Sequence, residues 1–322
     1  MNFKNFLNLP EVEKQEIIKS IEDKKNPIKI KMSGGTEMYL SYDEFKRIKP
    51  KIGEKLKVFF QRDPKDKSKN LSKIFNIIKM SLLFISAQGI SLGGTIDPGI
   101  ADSKYVDYGS KFKCVTKINA TTEDGKRACA SAVVIKPRWI VTAAHVVKNT
   151  SNINIEIDKK YYKVKEIFIH KDFEENNFGY HDISLGYLEE NTNLDFYPEL
   201  YSSSDEENKV AAICGYGVTG NFINGSNKSD GLKRAGSNKI DYIDKNLLMC
   251  SASRRDRTAL EFLISHGDSG GGLFIDKKLA GINSCVLSKK GSPNSKYEDE
   301  SGHTRVSIYR DWIIETIELK EK

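Results

Sequence analysis

Gly267-Asp268-Ser269-Gly270-Gly271-Gly272-Leu273 sets one serine among glycines. Neighbours without side chains let backbone N–H groups come close to a reacting carbonyl, which is what a nucleophilic serine needs around it. A serine hydroxyl is a weak nucleophile by itself, so this reading requires a general base and a group to orient that base. Both stand upstream. Val141-Thr142-Ala143-Ala144-His145-Val146-Val147 ends an apolar, strand-like run on a histidine, and His181-Asp182-Ile183-Ser184-Leu185 supplies an acid with apolar neighbours. His145 precedes Asp182 by 37 residues, and Asp182 precedes Ser269 by 87. A glycine-rich turn would explain residues 267–273 taken alone. The order His, Asp, Ser, however, is one of three chain orders in which unrelated folds assemble a Ser-His-Asp site.

At these residues the chain resembles the trypsin-like (chymotrypsin-fold) serine protease family. The family signatures T-A-A-H, D-I-A-L and G-D-S-G-G stand here as Thr142 to His145, Asp182 to Leu185 and Gly267 to Gly271. Weaker likenesses run from about residue 96 to the end: Cys129 to Ile135, Gly215-Tyr216-Gly217, Ala280 to Ser284, and Thr304 to Ser307 followed by Trp312-Ile313. Residues 1–95 show no such match. The resemblance implies a mainly β, two-barrel protease domain over residues 96–322. It also implies a serine endopeptidase that cuts protein or peptide substrates through an acyl-enzyme, with no cofactor and no metal.

The resemblance assigns roles residue by residue. His145 is the base, Asp182 its orienter and Ser269 the nucleophile, while the N–H groups of Gly267 and Ser269 form the oxyanion hole. Asp268 takes the place of the family's activation ion pair, in which a carboxylate meets the α-amino group of a cut zymogen. Ile96-Asp97-Pro98-Gly99 and Ile90-Ser91-Leu92-Gly93 are the candidate new starts, and neither follows Lys or Arg. Ser284 is expected to bond the catalytic aspartate, and Ser284-Cys285-Val286 to pair with substrate backbone. Leu263 stands where members that cut after basic residues carry an acid. With Val286 and Ser301 as pocket walls, an apolar or uncharged residue is expected before the scissile bond. His266 is expected to line the cleft and His170 to lie solvated on the surface. His181 is expected to point away from Asp182, because successive side chains of a strand alternate faces. The alternative is an inactive homologue serving as a binding module; such proteins usually lack one of the three residues, whereas all three are present here.

Length and charge divide the chain. Its 322 residues exceed the ~200 to 250 that a single all-β unit of this kind occupies. Residues 1–95 carry 19 Lys+Arg against 11 Asp+Glu and the remainder 32 against 33, so the net charge of +7 resides in the N-terminal part. A solvated lysine-rich surface accounts for this excess. Nucleic acid is not expected as a partner, since residues 1–70 hold no helix-turn-helix, zinc or aromatic-ladder signature. A monomer is expected. Five cysteines, Cys114, Cys129, Cys214, Cys250 and Cys285, leave at least one unpaired within the chain. Cys129 resembles half of the family disulfide beside the catalytic histidine, but Val146 stands where its partner belongs. Ser265 likewise replaces the cysteine four residues before the nucleophile. The fold is therefore expected to rely on its core, as intracellular, bacterial or viral members do.

Ahead of the protease part, residues 1–70 read as a small α+β module. Apolar positions at near-helical intervals suggest a helix from Pro10 to Asp23, Ile28 to Met32 alternates with lysines as a half-buried strand, and Gly34-Gly35 turns it into Glu37 to Leu40. Ser41 to Glu44 resembles a capped helix start, and Leu56 to Phe60 a further strand. Residues 71–95 read as an apolar, then Gly/Ser-rich, linker or propeptide end. Met80 to Ala87 superficially resembles a signal-peptide core, but its position argues for a buried or docking segment, and it falls short of a membrane span. No N-terminal signal peptide is read, which favours an intracellular or non-classically exported protein. Beyond residue 96, short β-type runs punctuated by turn residues follow one another without long helices, as an all-β protein requires.

Overall fold

The structure is a computed structural model that describes residues 28–31, 37–40, 57–59, 94–175, 179–228, 230–288 and 294–322. The chain divides into two compact units, Met1–Ser86 and Ala87–Lys322. In the first unit, β1 (Ile28–Lys31), β2 (Glu37–Leu40) and β3 (Lys57–Phe59) form a sheet in the order β2-β1-β3. β1 runs antiparallel to both neighbours, with Ile28 opposite Leu40 and Lys29 opposite Phe59. The three strands fall within the runs Ile28 to Met32, Glu37 to Leu40 and Leu56 to Phe60. The expected helices at Pro10 to Asp23 and after Ser41, and the apolar run Met80 to Ala87, lie outside the described residues.

The second unit is the expected mainly β, two-barrel protease fold. A short strand, β4 (Thr95–Ile96), leads to helix α1 (Asp102–Gly109). Six strands follow: β5 (Val115–Thr122), β6 (Arg127–Lys136), β7 (Trp139–Thr142), β8 (Thr150–Ile157), β9 (Lys160–Ile169) and β10 (Ser184–Leu188). They close into a barrel in the order β10-β7-β6-β5-β8-β9. Sequence pattern explains which strand faces water. β9 buries Tyr162 and Val164 and exposes Tyr161, Lys163 and Lys165 between them, the period of two of a strand with one wet face. β6 instead buries every residue from Ala130 to Ile135. Ala130, Ala132 and Val134 fill the barrel interior, while Val133 and Ile135 join a cluster with Cys214, Ala235, Phe274 and Ile282 of the other half. A continuous apolar run is what a strand covered on both faces needs.

The other half contains β11 (Val210–Gly215), β12 (Thr219–Asn221), β13 (Gly225–Lys228), β14 (Arg234–Lys239), β15 (Tyr242–Asp244), β16 (Leu247–Ser251), β17 (Phe262–Leu263), β18 (Gly272–Ile275), β19 (Lys278–Ser288) and β20 (Asp299–Arg305). Seven of them form the sheet β14-β11-β18-β19-β20-β16-β15, and a smaller sheet, β13-β12-β4-β17, packs with it around Ile96, Ile213, Phe262 and Leu273. Helix α3 (Val306–Glu321) closes the chain. The strand expected over Thr304 to Ser307 stops at Arg305, because Val306, Tyr309, Ile313 and Ile317 form a buried stripe at helical spacing. Trp139, fully buried in the first barrel, donates its Nε1–H to Glu321 on α3 at 2.9 Å, so the helix spans back to the first barrel. α1 has no clear sequence signature. It is held by Arg234, nearly fully buried, whose guanidinium donates to both carboxylate oxygens of Asp102 at 2.7 Å and also to Asp230.

All five cysteines are in the reduced state. Among the described residues, no helix is long and apolar enough to cross a membrane.

Candidate active site

β7 ends at Thr142, and the chain turns through buried Ala143 into the single-turn helix α2 (Ala144–Val147), which carries His145. Asp182 enters from the other side, just before β10. The residue ahead of it, His181, has φ +56°, a left-handed turn that ends the loop and aims the aspartate inward. Asp182 is fully buried and well provided with donors. Its Oδ1 accepts the backbone N–H of His145 at 2.9 Å, and its Oδ2 lies 2.7 Å from His145 Nδ1. The Ser284 hydroxyl donates to Oδ2 at 2.6 Å, and Thr304 Oγ1 donates to the Asp182 carbonyl at 3.0 Å. A carboxylate so placed accepts the Nδ1–H, which makes Nε2 the basic nitrogen of the ring. Desolvation, the largest influence on His145, lowers its pKa, but the charge and hydrogen bond of Asp182, helped by Glu175, outweigh it and hold the imidazole above its ordinary value.

Ser269 lies in the turn between β17 and β18, and hydrogen bonds shape that turn from both halves of the unit. Gly270 N–H donates to the Asn283 carbonyl at 2.8 Å, while Asn283 Nδ2 donates to the carbonyls of Cys214 and Asp268, each at 3.1 Å. From the first barrel, Ser131 N–H donates to the Ser269 carbonyl and Ser131 Oγ to the Gly267 carbonyl, both at 2.9 Å. The two carbonyls are thereby turned away. The N–H groups of Gly267 and Ser269 donate to no described residue. Gly267 has φ +88° and Gly270 φ +82°, conformations that favour glycine. At Gly270 a Cβ would also fall 2.0 Å from Thr142 Oγ1, so the Ser269 turn lies directly against the strand end that leads to His145.

Asp268 is fully buried beneath the turn. Its Oδ1 accepts from Gly217 N–H at 2.7 Å and its Oδ2 from Ser265 N–H at 2.8 Å. Burial raises its pKa to about 7 even against these amides. Gly217 must be glycine here, because a Cβ would come within 2.5 Å of the Asp268 carboxyl. Of the two candidate zymogen starts, Ile96 sits inside the chain in β4, paired with Asn221 on one side and Phe262 on the other. Ile90 lies outside the described residues.

The remaining expected site residues are distributed along the second half. Leu263 is fully buried on β17 and packs with Phe222, Ala252 and Tyr297. Val286 and Ser301 face each other across the β19–β20 pairing, and Cys285 lies opposite Gly302. Burial pushes the Cys285 thiol up to about 12, so it is no nucleophile at neutral pH. Ser301 is fully buried with its Oγ 3.0 Å from His303 Nε2. His303 Nδ1 meets Asn283 Oδ1 at 2.9 Å, and burial drops this histidine to about 3, which makes it a neutral structural group. His266 is exposed next to the nucleophile turn; desolvation first, and then the charge of His145, lower its pKa.

One histidine expectation changes. His170 is not a solvated surface residue: its ring stacks on His181 at 5.6 Å and meets the edges of Tyr309 and Trp312 at 5.0 Å. His181 bonds the Tyr309 hydroxyl at 2.8 Å, and what sets its direction is the left-handed turn rather than strand alternation. Ser131, Asn283 and Thr304 were not singled out in the sequence, because a polar residue inside a strand gives no hint of which backbone group it serves.

The sequence model of the trypsin family matches residues 104–313. The chain belongs to the trypsin family. Among relatives of this trypsin-family chain, kallikrein-1E2 of Equus caballus is 25% identical over 214 residues, covering 58% of this chain and 79% of the relative. Ovochymase of Halocynthia roretzi is 28% identical over 218 residues, which cover 57% of this chain but only 13% of that much longer protein. Trypsin of Simulium vittatum is 28% identical over 173 residues, 46% of this chain and 67% of the relative. Solved structures share the fold, two of them as follows. Neuropsin, a serine protease expressed in the limbic system of mouse brain, aligns with a TM-score of 0.52 at 20% identity, over 65% of this chain and 96% of its own. HL collagenase aligns with a TM-score of 0.54 at 19% identity, over 70% and 98%.

Proposed function

We propose that this trypsin-family chain is an active serine endopeptidase. The observation that carries the reading is the fully buried Asp182 holding His145 by both its backbone N–H and its Nδ1, which fixes the ring orientation that a general base needs. In this mechanism Nε2 of His145 takes the proton of Ser269 as Oγ attacks the scissile carbonyl, and the N–H groups of Gly267 and Ser269 meet the oxyanion. The protonated imidazole then gives its proton to the leaving amine, and water hydrolyses the acyl-enzyme by the same route in reverse. The test is labelling by a fluorophosphonate probe, which needs an activated serine. Stoichiometric labelling is expected in the parent chain and none in Ser269→Ala; a folded parent that does not label would identify the alternative, an inactive binding module.

Substrate preference follows from the pocket residues. Leu263, Val286 and Ser301 carry no charge, and Leu263 takes the place of an acid. A peptide library is expected to show cleavage after apolar or uncharged residues; dominant cleavage after arginine would overturn this assignment.

Asp268 supports activity in the uncut chain. Two backbone amides already turn its carboxylate inward, the task that a new α-amino group performs in a cut zymogen. Asp268→Asn removes one acceptor and sets an NH₂ against an N–H, so kcat/KM is expected to fall by about 10² to 10³, as for loss of one oxyanion donor. The same variant changes the pH dependence of stability. Asp268 has a folded pKa of about 7 against 3.8, so over that interval the folded state keeps a proton that the unfolded state has released, and its contribution to stability declines as pH rises. Denaturation midpoints measured between those pH values should decline less in Asp268→Asn than in the parent. Mass spectrometry of fully active protein should show residues 90–96 uncut, and a requirement for cleavage there would sink the idea.

A further inference from the structure

We propose that His170, Asp172 and His181 form a binding site for a zinc-type divalent cation behind the catalytic aspartate. One ligand atom from each residue lies within 4.8 Å of the other two. His170 directly follows β9, and its Nδ1 stands 3.9 Å from Asp172 Oδ2. The third ligand comes from the loop ahead of β10, where the left-handed backbone of His181 brings its ring over that of His170. Two imidazoles and one carboxylate are a donor set for zinc and other late first-row ions; Mg²⁺ and Ca²⁺ prefer oxygen alone. Water would complete a tetrahedron. Bond lengths of ~2.0 to 2.2 Å require the ligands to draw in by roughly 1 Å, which the half-exposed Asp172 side chain can supply by rotation.

The surroundings favour ligation. The Tyr309 hydroxyl, 2.8 Å from His181 Nδ1, can accept that N–H, which presents Nε2 to an ion and fixes the ring in the manner of an outer-shell partner. The site also connects to the catalytic machinery. His181 is bonded through the chain to Asp182, and His170 N–H donates to the Ile183 carbonyl at 3.2 Å. An ion that draws His170 and His181 together thus acts on both residues flanking the peptide that positions Asp182.

The test titrates the full-length chain with Zn²⁺ by calorimetry, in the Ser269→Ala background so that binding is read without catalysis. One equivalent is expected to bind, and affinity is expected to fall at least tenfold in His170→Ala, in His181→Ala and in Asp172→Asn. Asp172 is exposed, so its substitution probes the site without threatening the fold. His145→Ala, which removes the other histidine beside Asp182, is expected to leave this equivalent in place. Absence of binding, or one equivalent that survives all three ligand substitutions but disappears with His145→Ala, would overturn the proposal. Because the readout is heat of binding, its failure is distinguishable from failure of the peptidase reading, which fluorophosphonate labelling tests.

Discussion

Replacing Ser269 with alanine is expected to lower kcat by about 10⁶-fold, the scale at which loss of the nucleophile removes covalent catalysis and leaves only binding and the oxyanion hole. The side chain it removes is not a structural member: the turn is held through main-chain atoms of residues 267–271 and through the side chains of Ser131 and Asn283. Thermal stability should therefore stay close to that of the parent while peptide hydrolysis vanishes. Active-site titration with the fluorophosphonate measures the loss directly. Retention of more than about one part in a thousand of the activity would show that another group performs the attack.

The second large effect is expected from Asp182→Asn, which should lower kcat by about 10⁴. The amide can still accept from His145 N–H, but its NH₂ would face Nδ1 or the Ser284 hydroxyl, both of which now donate. The ring is then driven to the other tautomer, with the proton on the nitrogen that must receive one. A pH profile separates this from simple misfolding. The charge and hydrogen bond of Asp182 are what hold His145 above its ordinary pKa against desolvation, so removing them lets the pKa fall. The acid limb of kcat/KM, which reports the free base of the uncomplexed enzyme, should move to lower pH in the variant. An unshifted limb would mean that another group titrates.

The strands with strict patterns were readable: β9 alternates lysines with Tyr162 and Val164, and β6 carries the uninterrupted run that a strand between two cores demands. The short strands β4, β12, β13 and β17 have two to four residues and no period, so only pairing with neighbours defines them. Helix α1 escaped notice because what secures it, Arg234, lies more than a hundred residues away. Within the candidate site, the residues with distinctive local words, His145, Asp182 and the Gly267 turn, were evident. Those that act at a distance, Ser131 and Thr304, were not, since a hydroxyl that serves a remote backbone atom leaves no local trace. His170 and His181 read as isolated histidines for the same reason: a left-handed backbone brings their rings together.

The division of the site between two halves also bears on how the protein is made. His145 and Asp182 belong to the first barrel, whereas Ser269, Ser284 and Thr304 leave the ribosome later, and domains generally fold from the N-terminus as they are synthesised. Until β19 and β20 have docked, Asp182 lacks the Ser284 hydroxyl and the Thr304 bond, and the nucleophile turn lacks Asn283. A nascent chain thus holds the candidate base before it holds the candidate nucleophile. For the endopeptidase proposed above, its own unfolded segments would be spared until folding has hidden them.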